Sequence, residues 1–366
     1  MERLCSVLLL AILAVTGVVS LPQSGADDSL IRQVVTGEVS TTLGAEAQFE
    51  IFKTTFGKSY GDEDEHDRRF KIFKANLRRA RKHQLLDPSA EHGITKFFDM
   101  TPAEFHRTYL GLNKGAAKNL KRVLKSASEA PLLASDDLPE DFDWRDHGAV
   151  TEVKDQGSCG SCWSFSTAGA LEGANFLTNG KLVSLSEQQL VDCDHECDED
   201  NTCDAGCNGG LMTTAFQYLK KSGGLQSEAD YPYTGKDGTC KFNNNKIVAS
   251  VNNFTVVSTN EDQIAANLVK HGPLAIGINA AFMQTYIGGV SCPYICLKNY
   301  LDHGVLLVGY GASGYSQIRF KNKPYWIIKN SWGENWGENG YYKICRGHNA
   351  CGVDNMVSTV TALTTS

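Results

Sequence analysis

Two cysteines three positions apart, Cys159 and Cys162, stand in the stretch QGSCGSCWSF at residues 156–165. Thiols at this spacing suit three kinds of chemistry: a redox-active disulfide, half of a metal site, or one bridged sulfur beside one reactive sulfur. Which of them applies depends on the compartment in which the chain folds and on the partners available to each sulfur.

The first 20 residues, MERLCSVLLLAILAVTGVVS, have the pattern of a cleaved secretory signal. Arg3 precedes an apolar stretch, and small residues stand before a plausible cleavage point at Leu21. The apolar stretch is shorter than the ~20 residues that a membrane-spanning helix needs. We therefore expect residues 1–20 to be removed, leaving no membrane span, and the rest of the chain to enter an oxidising compartment.

Cysteine counting then indicates one unpaired sulfur. The chain has 12 cysteines, and loss of Cys5 with the signal leaves 11, so that five disulfides leave one thiol over. The cysteines at 193, 197, 203 and 207 also have a C-x3-C repeat that would suit zinc. The acidic, loop-like residues between them favour disulfides in an oxidising compartment, although the spacing alone leaves the zinc alternative open.

Cys162 is the better candidate for the free thiol because of its predicted place at a helix N-terminus. The residues after Gly160 predict a helix with Ser161 as N-cap and a stop at Asn179-Gly180. In the first turn, unpaired backbone N–H groups and the helix dipole favour a thiolate. Cys159 lies before the turn and gains no such stabilisation, which makes it the natural bridge member.

A thiolate nucleophile needs a base, and the base needs a group that orients it. His303 lies at the start of an apolar run, LDHGVLLVGYG, that predicts a strand, and Asn330 ends another, PYWIIKN. The other histidines of this region lie in polar or glycine-containing stretches. Cys162, His303 and Asn330 therefore form a candidate catalytic set held on rigid elements.

Four motifs, QGSCGSCW, GCNGG, LDHGV and KNSWG, make the chain resemble the papain family of cysteine proteases over about residues 45–357. The resemblance implies an α+β, papain-like fold of two domains with the active-site cleft between them. A helical domain would occupy about 138–250, and a strand-rich, β-barrel-like domain about 251–366.

The resemblance also implies roles for individual residues. Cys162 would attack the peptide carbonyl, His303 would exchange the proton, and Asn330 would orient the imidazole behind Trp332. Gln156 would donate its side-chain amide to the developing oxyanion, together with the backbone N–H of Cys162. No metal or cofactor is required for this chemistry.

Apolar residues next to GCNGG are candidate substrate contacts. By resemblance, Leu211, Met212 and Met356 line the pocket for the second side chain before the scissile bond, and the Gly210 backbone pairs with the substrate. An uncharged pocket predicts a preference for Leu, Val or Phe over Arg. The same side chains would equally suit an ordinary core.

The resemblance implies two disulfides, Cys159–Cys207 and Cys193–Cys240. For the other six cysteines, the pairs Cys197–Cys203, Cys292–Cys345 and Cys296–Cys351 are hypotheses. One N-glycosylation sequon is present at Asn253-Phe254-Thr255.

Residues 21–137 differ from the rest of the chain in having no cysteine and a balanced charge, 18 Lys and Arg against 17 Asp and Glu. Residues 138–366 carry 16 against 24. Two amphipathic helices are predicted in the first segment, the first with Phe49, Phe52 and Phe56 on one face and the second with Phe70, Phe73, Leu77 and Ala80. The second also resembles the prosegment signature of cathepsin-F-like plant vacuolar proteases: Glu65, Arg69, Phe73, Asn76, Ala80 and Gln84, then Gly93, Thr95, Phe97 and Asp99.

We therefore expect residues 21–137 to be a helical inhibitory propeptide that lies across the cleft until it is cut in the polar loop at about 134–137. The mature peptidase domain would be 138–366. Basic residues at 78, 79, 81 and 82 suit either docking to the acidic enzyme or a solvated face. Acidification is expected to weaken docking, because carboxylates lose charge while His66, His83, His92 and His106 gain it.

The sequence thus predicts a thiol endopeptidase made as a zymogen, acting as a monomer on protein and peptide substrates. Its own propeptide and cystatin-like inhibitors are the other expected partners, while the acidic mature segment argues against nucleic-acid binding. A vacuole-like or lysosome-like compartment is the expected destination, with the extracellular space as the alternative. Two other classes stay open: a non-catalytic binding protein, which the intact catalytic set disfavours, and a thiol-disulfide oxidoreductase, which needs Cys159 and Cys162 both free.

Overall fold

The computed structural model describes residues 44–112, 127–199, 201–314 and 323–364, so the expected signal at 1–20 lies outside it. Residues 44–112 of the described chain contain three helices and one short strand, which are α1 (Ala45–Thr55), α2 (Glu63–Leu86), β1 (Ala90–His92) and α3 (Pro102–Tyr109). Asp62 caps α2 by accepting the N–H of Glu65, and Thr101 and Glu104 form a capping box at α3.

An aromatic core holds α1 against α2. Phe49, Phe52 and Phe73 are fully buried there, together with Ile94 and Phe98. This confirms the two predicted apolar faces. The periodicity of the phenylalanines alone therefore located the core of the propeptide segment.

The polar signature residues of α2 fasten the chain that follows the helix. Arg69 Nη1 donates to the carbonyl of Asp99 at 2.7 Å, and Asn76 Nδ2 donates to that of Phe98 at 2.8 Å. Gln84 Nε2 donates to the carbonyl of Ala90 at 2.8 Å. These side chains satisfy backbone groups that no helix or sheet would pair, and they fix residues 90–100 against α2.

The helix-rich half is built on one long, almost completely buried helix. Its elements are α4 (Cys162–Asn179), α5 (Glu187–Cys193), α6 (Met212–Ser222), β3 (Leu225–Gln226) and β4 (Ile247–Ala249). The predicted end of α4 is confirmed, since Gly180 takes the left-handed conformation, with φ 69°, that closes a helix.

The strand-rich half is a mainly antiparallel sheet with one helix. Its elements are β2 (Phe142–Asp143), β5 (Val251–Val256), α7 (Glu261–His271), β6 (Leu274–Ile278), β7 (Tyr286–Ser291), β8 (His303–Gly314), β9 (Lys323–Lys329), β10 (Tyr341–Cys345) and β11 (Val357–Ala362). The strand order is β1-β7-β10-β9-β8-β6-β11-β5, with β2 on β8 and only β7 and β10 running parallel.

The propeptide segment lies on both edges of this sheet. Strand β1 pairs with β7, and Glu129 pairs with Val256 on β5. Both edges are thereby covered while the segment is attached. Within the described residues, no helix combines the length and apolar character that a bilayer crossing requires.

All five disulfide pairings are confirmed: Cys159–Cys207, Cys193–Cys240, Cys197–Cys203, Cys292–Cys345 and Cys296–Cys351. Because the four cysteines of the C-x3-C repeat are all bridged, their sulfurs are not zinc ligands. Cys159 and Cys162 are not joined, so they are not a redox pair either. Among the described residues, Cys162 is the one free cysteine.

Candidate active site

Cys162 is the first residue of α4, and its side chain is fully buried. Ser161 is the N-cap residue, but its hydroxyl lies 2.6 Å from the Tyr233 hydroxyl and makes no cap hydrogen bond. The N–H of Ser164 donates instead to the Ser161 carbonyl at 2.8 Å. Burial raises the pKa of the Cys162 thiol, and the N–H of Trp163 is among the groups that oppose the rise.

His303 is the first residue of β8, and two neighbours, Asn330 and Trp332, contact its ring. Its Nε2 lies 2.8 Å from Asn330 Oδ1, an atom that can only accept, so Nε2 carries the proton. The Trp332 ring stacks on the imidazole with 4.7 Å between centroids, covering that hydrogen bond. His303 Nδ1 is buried and has no hydrogen-bond partner among the described residues, which leaves it as the free basic nitrogen.

The cysteine and the histidine come from opposite halves and meet where α4 packs against β8. The N–H of Gly304, the residue after His303, donates to Cys162 Sγ at 3.3 Å. A Cβ at position 304 would lie 3.3 Å from both the Cys162 carbonyl oxygen and the Trp163 Cα. Glycine at 304 thus permits the close approach of α4 and β8 at the residue that follows His303.

Both groups are electrically neutral in this closed form. Burial raises the pKa of the Cys162 thiol to about 11, although hydrogen bonds from Gly304 and Gly111 oppose the rise. Burial lowers the pKa of His303 to about 4, against the opposing hydrogen bond from Asn330. Near neutral pH the pair is therefore a thiol and an uncharged imidazole.

Gln156 is fully buried and aimed at the cleft. Its Nε2 donates to the carbonyls of Tyr109 at 3.0 Å and Cys159 at 2.7 Å, and its Oε1 accepts from Ser331 Oγ at 2.6 Å. The amide is thus fixed from both ends, with one N–H directed at a carbonyl of the propeptide segment.

Residues Tyr109 to Leu112 of the propeptide segment occupy the cleft by main-chain contacts. The N–H of Gly111 donates to Cys162 Sγ at 3.3 Å, and its carbonyl accepts from the Gly210 N–H at 3.0 Å. Leu112 N–H donates to the Asp302 carbonyl at 3.2 Å. This segment blocks the sulfur and takes up the polar groups around it.

The side chain of Leu112 fills an apolar pocket and is 2% exposed. Its Cδ2, Leu301 Cδ1 and Met356 Sδ each lie 3.2 Å from the point where a Cβ on Gly277 would be. Leu211 and Met212 belong to the same buried cluster as Leu112. Met212 Sδ lies nearer the sulfur, 3.3 Å from a Cβ position on Gly304.

Cys162, Gln156 and Gly210 thus bind residues 109–112 directly, Met356 lies beside Leu112, and His303, Asn330 and Met212 lie around the Cys162–Gly304 contact. Leu211 is buried in the same cluster, and its role as a substrate contact stays a prediction. Leu301, Gly304 and the propeptide pair Gly111-Leu112 also contribute, and sequence reasoning had not singled them out. Leu301 and Gly304 are in the LDHGV motif, so their position beside His303 was an available signal.

The remaining docking contacts come mainly from the chain after α2 and not from its basic face. Asp87 accepts from Ser291 Oγ at 2.5 Å and from the Cys292 N–H at 2.6 Å, and Lys96 pairs with Asp155 at 2.6 Å. Phe97 and Phe105 pack edge-on against Trp332.

The expected protonation of the propeptide histidines is wrong for His83. Burial, with the charges of His92, Arg79 and Lys82 adding to it, lowers the pKa of His83 to about 3. This residue lies 2.8 Å from Thr285 Oγ1 at the docking surface, and it stays neutral on mild acidification.

A buried thiol in contact with the residue that follows a buried histidine, and covered by a segment of the same chain, is typical of a latent cysteine protease. The papain family cysteine protease profile matches residues 138–361, and the cathepsin propeptide inhibitor domain (I29) profile matches residues 49–105. The chain belongs to the papain family and carries the inhibitory propeptide domain of its zymogens.

Named relatives and solved structures agree with this assignment. Cysteine proteinase 1 of Zea mays is 71% identical over 92% of this chain and 93% of its own length. Cathepsin F of Mus musculus is 45% identical over 85% of this chain and 64% of its own. The digestive procathepsin L2 proteinase of Tenebrio molitor superposes with a TM-score of 0.76 at 36% identity, covering 87% of this chain and 100% of that one.

Proposed function

We propose that Cys162 and His303 are the catalytic pair of this cysteine endopeptidase, with Asn330 as the orienting group and Gln156 as an oxyanion donor. The observation that carries the proposal is the contact of the one free thiol among the described residues with the residue following His303. The mature enzyme would be residues 138–366, formed when residues 21–137 are removed.

In the proposed reaction, Cys162 Sγ attacks the peptide carbonyl carbon after its proton has passed to His303 Nδ1. The carbonyl oxygen becomes an oxyanion that accepts from Gln156 Nε2 and the Cys162 N–H. His303 then gives its proton to the leaving amine, and the C–N bond breaks to leave a thioester. Water, deprotonated by the same nitrogen, hydrolyses the thioester and restores the thiol.

Leu112 supports a preference for an apolar residue at the second position before the scissile bond. It occupies a pocket made by Leu301 and Met356, with the backbone of Gly210 beside it. A substrate residue in that pocket precedes the attacked carbonyl, whereas Leu112 follows the residues that lie at Cys162. The propeptide segment thus crosses the cleft with the opposite chain direction, which supports its action as an inhibitor and not as a substrate.

The preference can be measured with matched peptides that differ only at this position. We expect kcat/KM for Leu to exceed that for Arg on the order of tenfold to a hundredfold, since burying a leucine side chain contributes about 1.5–3 kcal/mol and the pocket offers Arg no acidic partner. Cys162→Ala enzyme serves as the control for contaminating proteases. Equal rates for Leu and Arg would refute an apolar pocket.

The proposed destination is a vacuole-like or lysosome-like compartment reached through the secretory pathway. Five disulfides support passage through an oxidising compartment. A monomeric enzyme, inhibited by cystatin-like proteins that fill the vacated cleft, completes the proposal.

A further inference from the structure

The acidic insert between α5 and the GCNGG motif is a small closed loop with a buried end. The bridge Cys197–Cys203 closes it, and Asp198 N–H donates to the Thr202 carbonyl at 3.0 Å. Asp204 N–H donates to the carbonyl of Glu196 at 2.9 Å. The loop thereby turns the chain back and places Asp204 under the wall of the cleft.

Asp204 holds the main chain that faces the substrate cleft. It is 2% exposed, and its Oδ1 accepts from the Leu211 N–H at 2.7 Å and from Thr214 Oγ1 at 2.8 Å. A Cβ on Gly210 would lie 2.7 Å from the same oxygen. The carboxyl group therefore lies directly behind Gly210, whose N–H binds the propeptide carbonyl at the front.

A second buried carboxyl group, Asp194, lies against Asp204 from the end of α5. It is 0% exposed, and its Oδ1 accepts from the Glu196 N–H at 2.9 Å. The two carboxyl groups lie within hydrogen-bonding reach of each other. The Oδ2 atoms of both are buried and accept no hydrogen bond from a donor among the described residues.

Two ionised carboxylates can only accept, so neither could satisfy the other. One proton between them turns one group into a donor and removes one of two buried like charges. The two catalytic carboxyl groups of aspartic proteases share one proton in the same way.

We propose that Asp194 and Asp204 share one proton, and that this proton positions the Gly210–Leu211 segment for substrate binding in the mature enzyme. Both are positioning residues, since they act through the backbone of Gly210 and Leu211. The inference rests on the proposed function only in taking Gly210 as a substrate contact.

The electrostatics of the pair agree with this geometry. Burial raises the pKa of Asp194 to about 6, although the Glu196 N–H opposes the rise. Burial, followed by the charge of Asp194, raises the pKa of Asp204 well above its usual range. The other titratable groups facing the pair are Glu196, which pairs with Lys221, together with His195 on the insert and Tyr218 on α6.

The direction of the pH effect follows from these raised values. A carboxyl group whose pKa is higher in the ordered state favours that state at acidic pH, and the stabilisation is lost as the pH rises through the raised pKa. Because the pKa of Asp194 is raised to about 6 and that of Asp204 well above its usual range, the pair carries two protons at about pH 5 and one shared proton above about pH 6. The substrate-binding segment should therefore be held until the pH rises through the raised pKa of Asp204.

The test compares KM for an uncharged peptide at about pH 7 and about pH 10 in the mature wild-type enzyme and in Asp194→Asn. An asparagine keeps the acceptor for Glu196 and donates permanently to Asp204. We expect KM to rise on the order of tenfold in the wild type and to stay within about twofold in the variant, with kcat alike in both at about pH 7. Asp204→Asn should give the same flattening.

Glu199→Gln, which removes an exposed charge from the same insert, is the matched control and should follow the wild type. An infrared carbonyl band of a protonated carboxyl group at about pH 7, read as the difference between the wild type and Asp194→Asn, gives a second readout without activity. Parallel KM profiles for the wild type and both asparagine variants would overturn the proposal, and so would the absence of that band. Loss of turnover in every protein would instead count against the proposed function.

Discussion

Replacing Cys162 by alanine is expected to lower kcat of the mature enzyme by a factor on the order of 10⁵–10⁶. The sulfur forms the covalent bond in the proposed reaction, and no other thiol among the described residues is free. His303→Ala should cost nearly as much, because an unassisted thiol with ordinary acidity is mostly protonated at acidic pH. The variant proenzymes are first matured by added wild-type enzyme, which is then removed. Steady-state hydrolysis of a Leu-containing peptide then measures both effects.

The double variant, with both Cys162 and His303 replaced by alanine, distinguishes two residues that act together from two that contribute to kcat independently. Groups that act as one unit give a double variant no slower than the worse single variant. His348→Ala, at an exposed histidine of the same half, is the matched control and should leave kcat unchanged. A multiplicative loss in the double variant would contradict the assignment of Cys162 and His303 as a pair.

Replacing Gly111 by alanine is expected to open the cleft of the intact zymogen. A Cβ there would lie 1.7 Å from the Gly160 carbonyl oxygen and 2.4 Å from its carbon, so the segment must leave its place. Three main-chain contacts of about 1 kcal/mol each and part of the Leu112 burial are lost. At about 1.4 kcal/mol per tenfold, alkylation of Cys162 at neutral pH should accelerate on the order of 10²–10³.

Gly61→Ala is the matched control, because a Cβ at Gly61 meets nothing within 4 Å in the same propeptide segment. It should leave the alkylation rate of the zymogen unchanged. Gly111→Ala labelling as slowly as the wild type would show that residues 109–112 do not protect the sulfur. Docking through Asp87 and Lys96 lies away from the sulfur, so the rest of the propeptide should remain bound.

Local patterns predicted much of this molecule. The phenylalanine spacing of α1 and α2 located the propeptide core, and the stop at Asn179-Gly180 located the end of α4. The odd cysteine count indicated one free thiol, and the described residues contain one, Cys162. These features depend on neighbours in sequence, which is why periodicity and counting found them.

Features that depend on distant contacts could not be predicted in the same way. The Ser161 hydroxyl makes no N-cap hydrogen bond because it binds the hydroxyl of Tyr233, which is 72 residues away. His83 stays neutral because it is buried beside Thr285, which is 202 residues away in sequence. Nothing in the composition of Gly111-Leu112 distinguishes a cleft-filling segment from a loop. The pairing of Asp194 with Asp204 depends on the path of an insert that only the folded chain reveals.

The most direct test of the central claim is the pH dependence of Cys162 alkylation by iodoacetamide, in the zymogen and in the mature enzyme, with the modified residue identified by mass spectrometry. With the propeptide bound, burial holds the thiol pKa at about 11, so labelling should rise only at strongly alkaline pH. Once water enters the cleft, the first-turn N–H groups and a protonated His303 should favour the thiolate, so that rapid labelling persists into acidic pH. A single titration near the ordinary thiol value of about 8.5 in both forms would contradict a thiolate–imidazolium pair controlled by the propeptide.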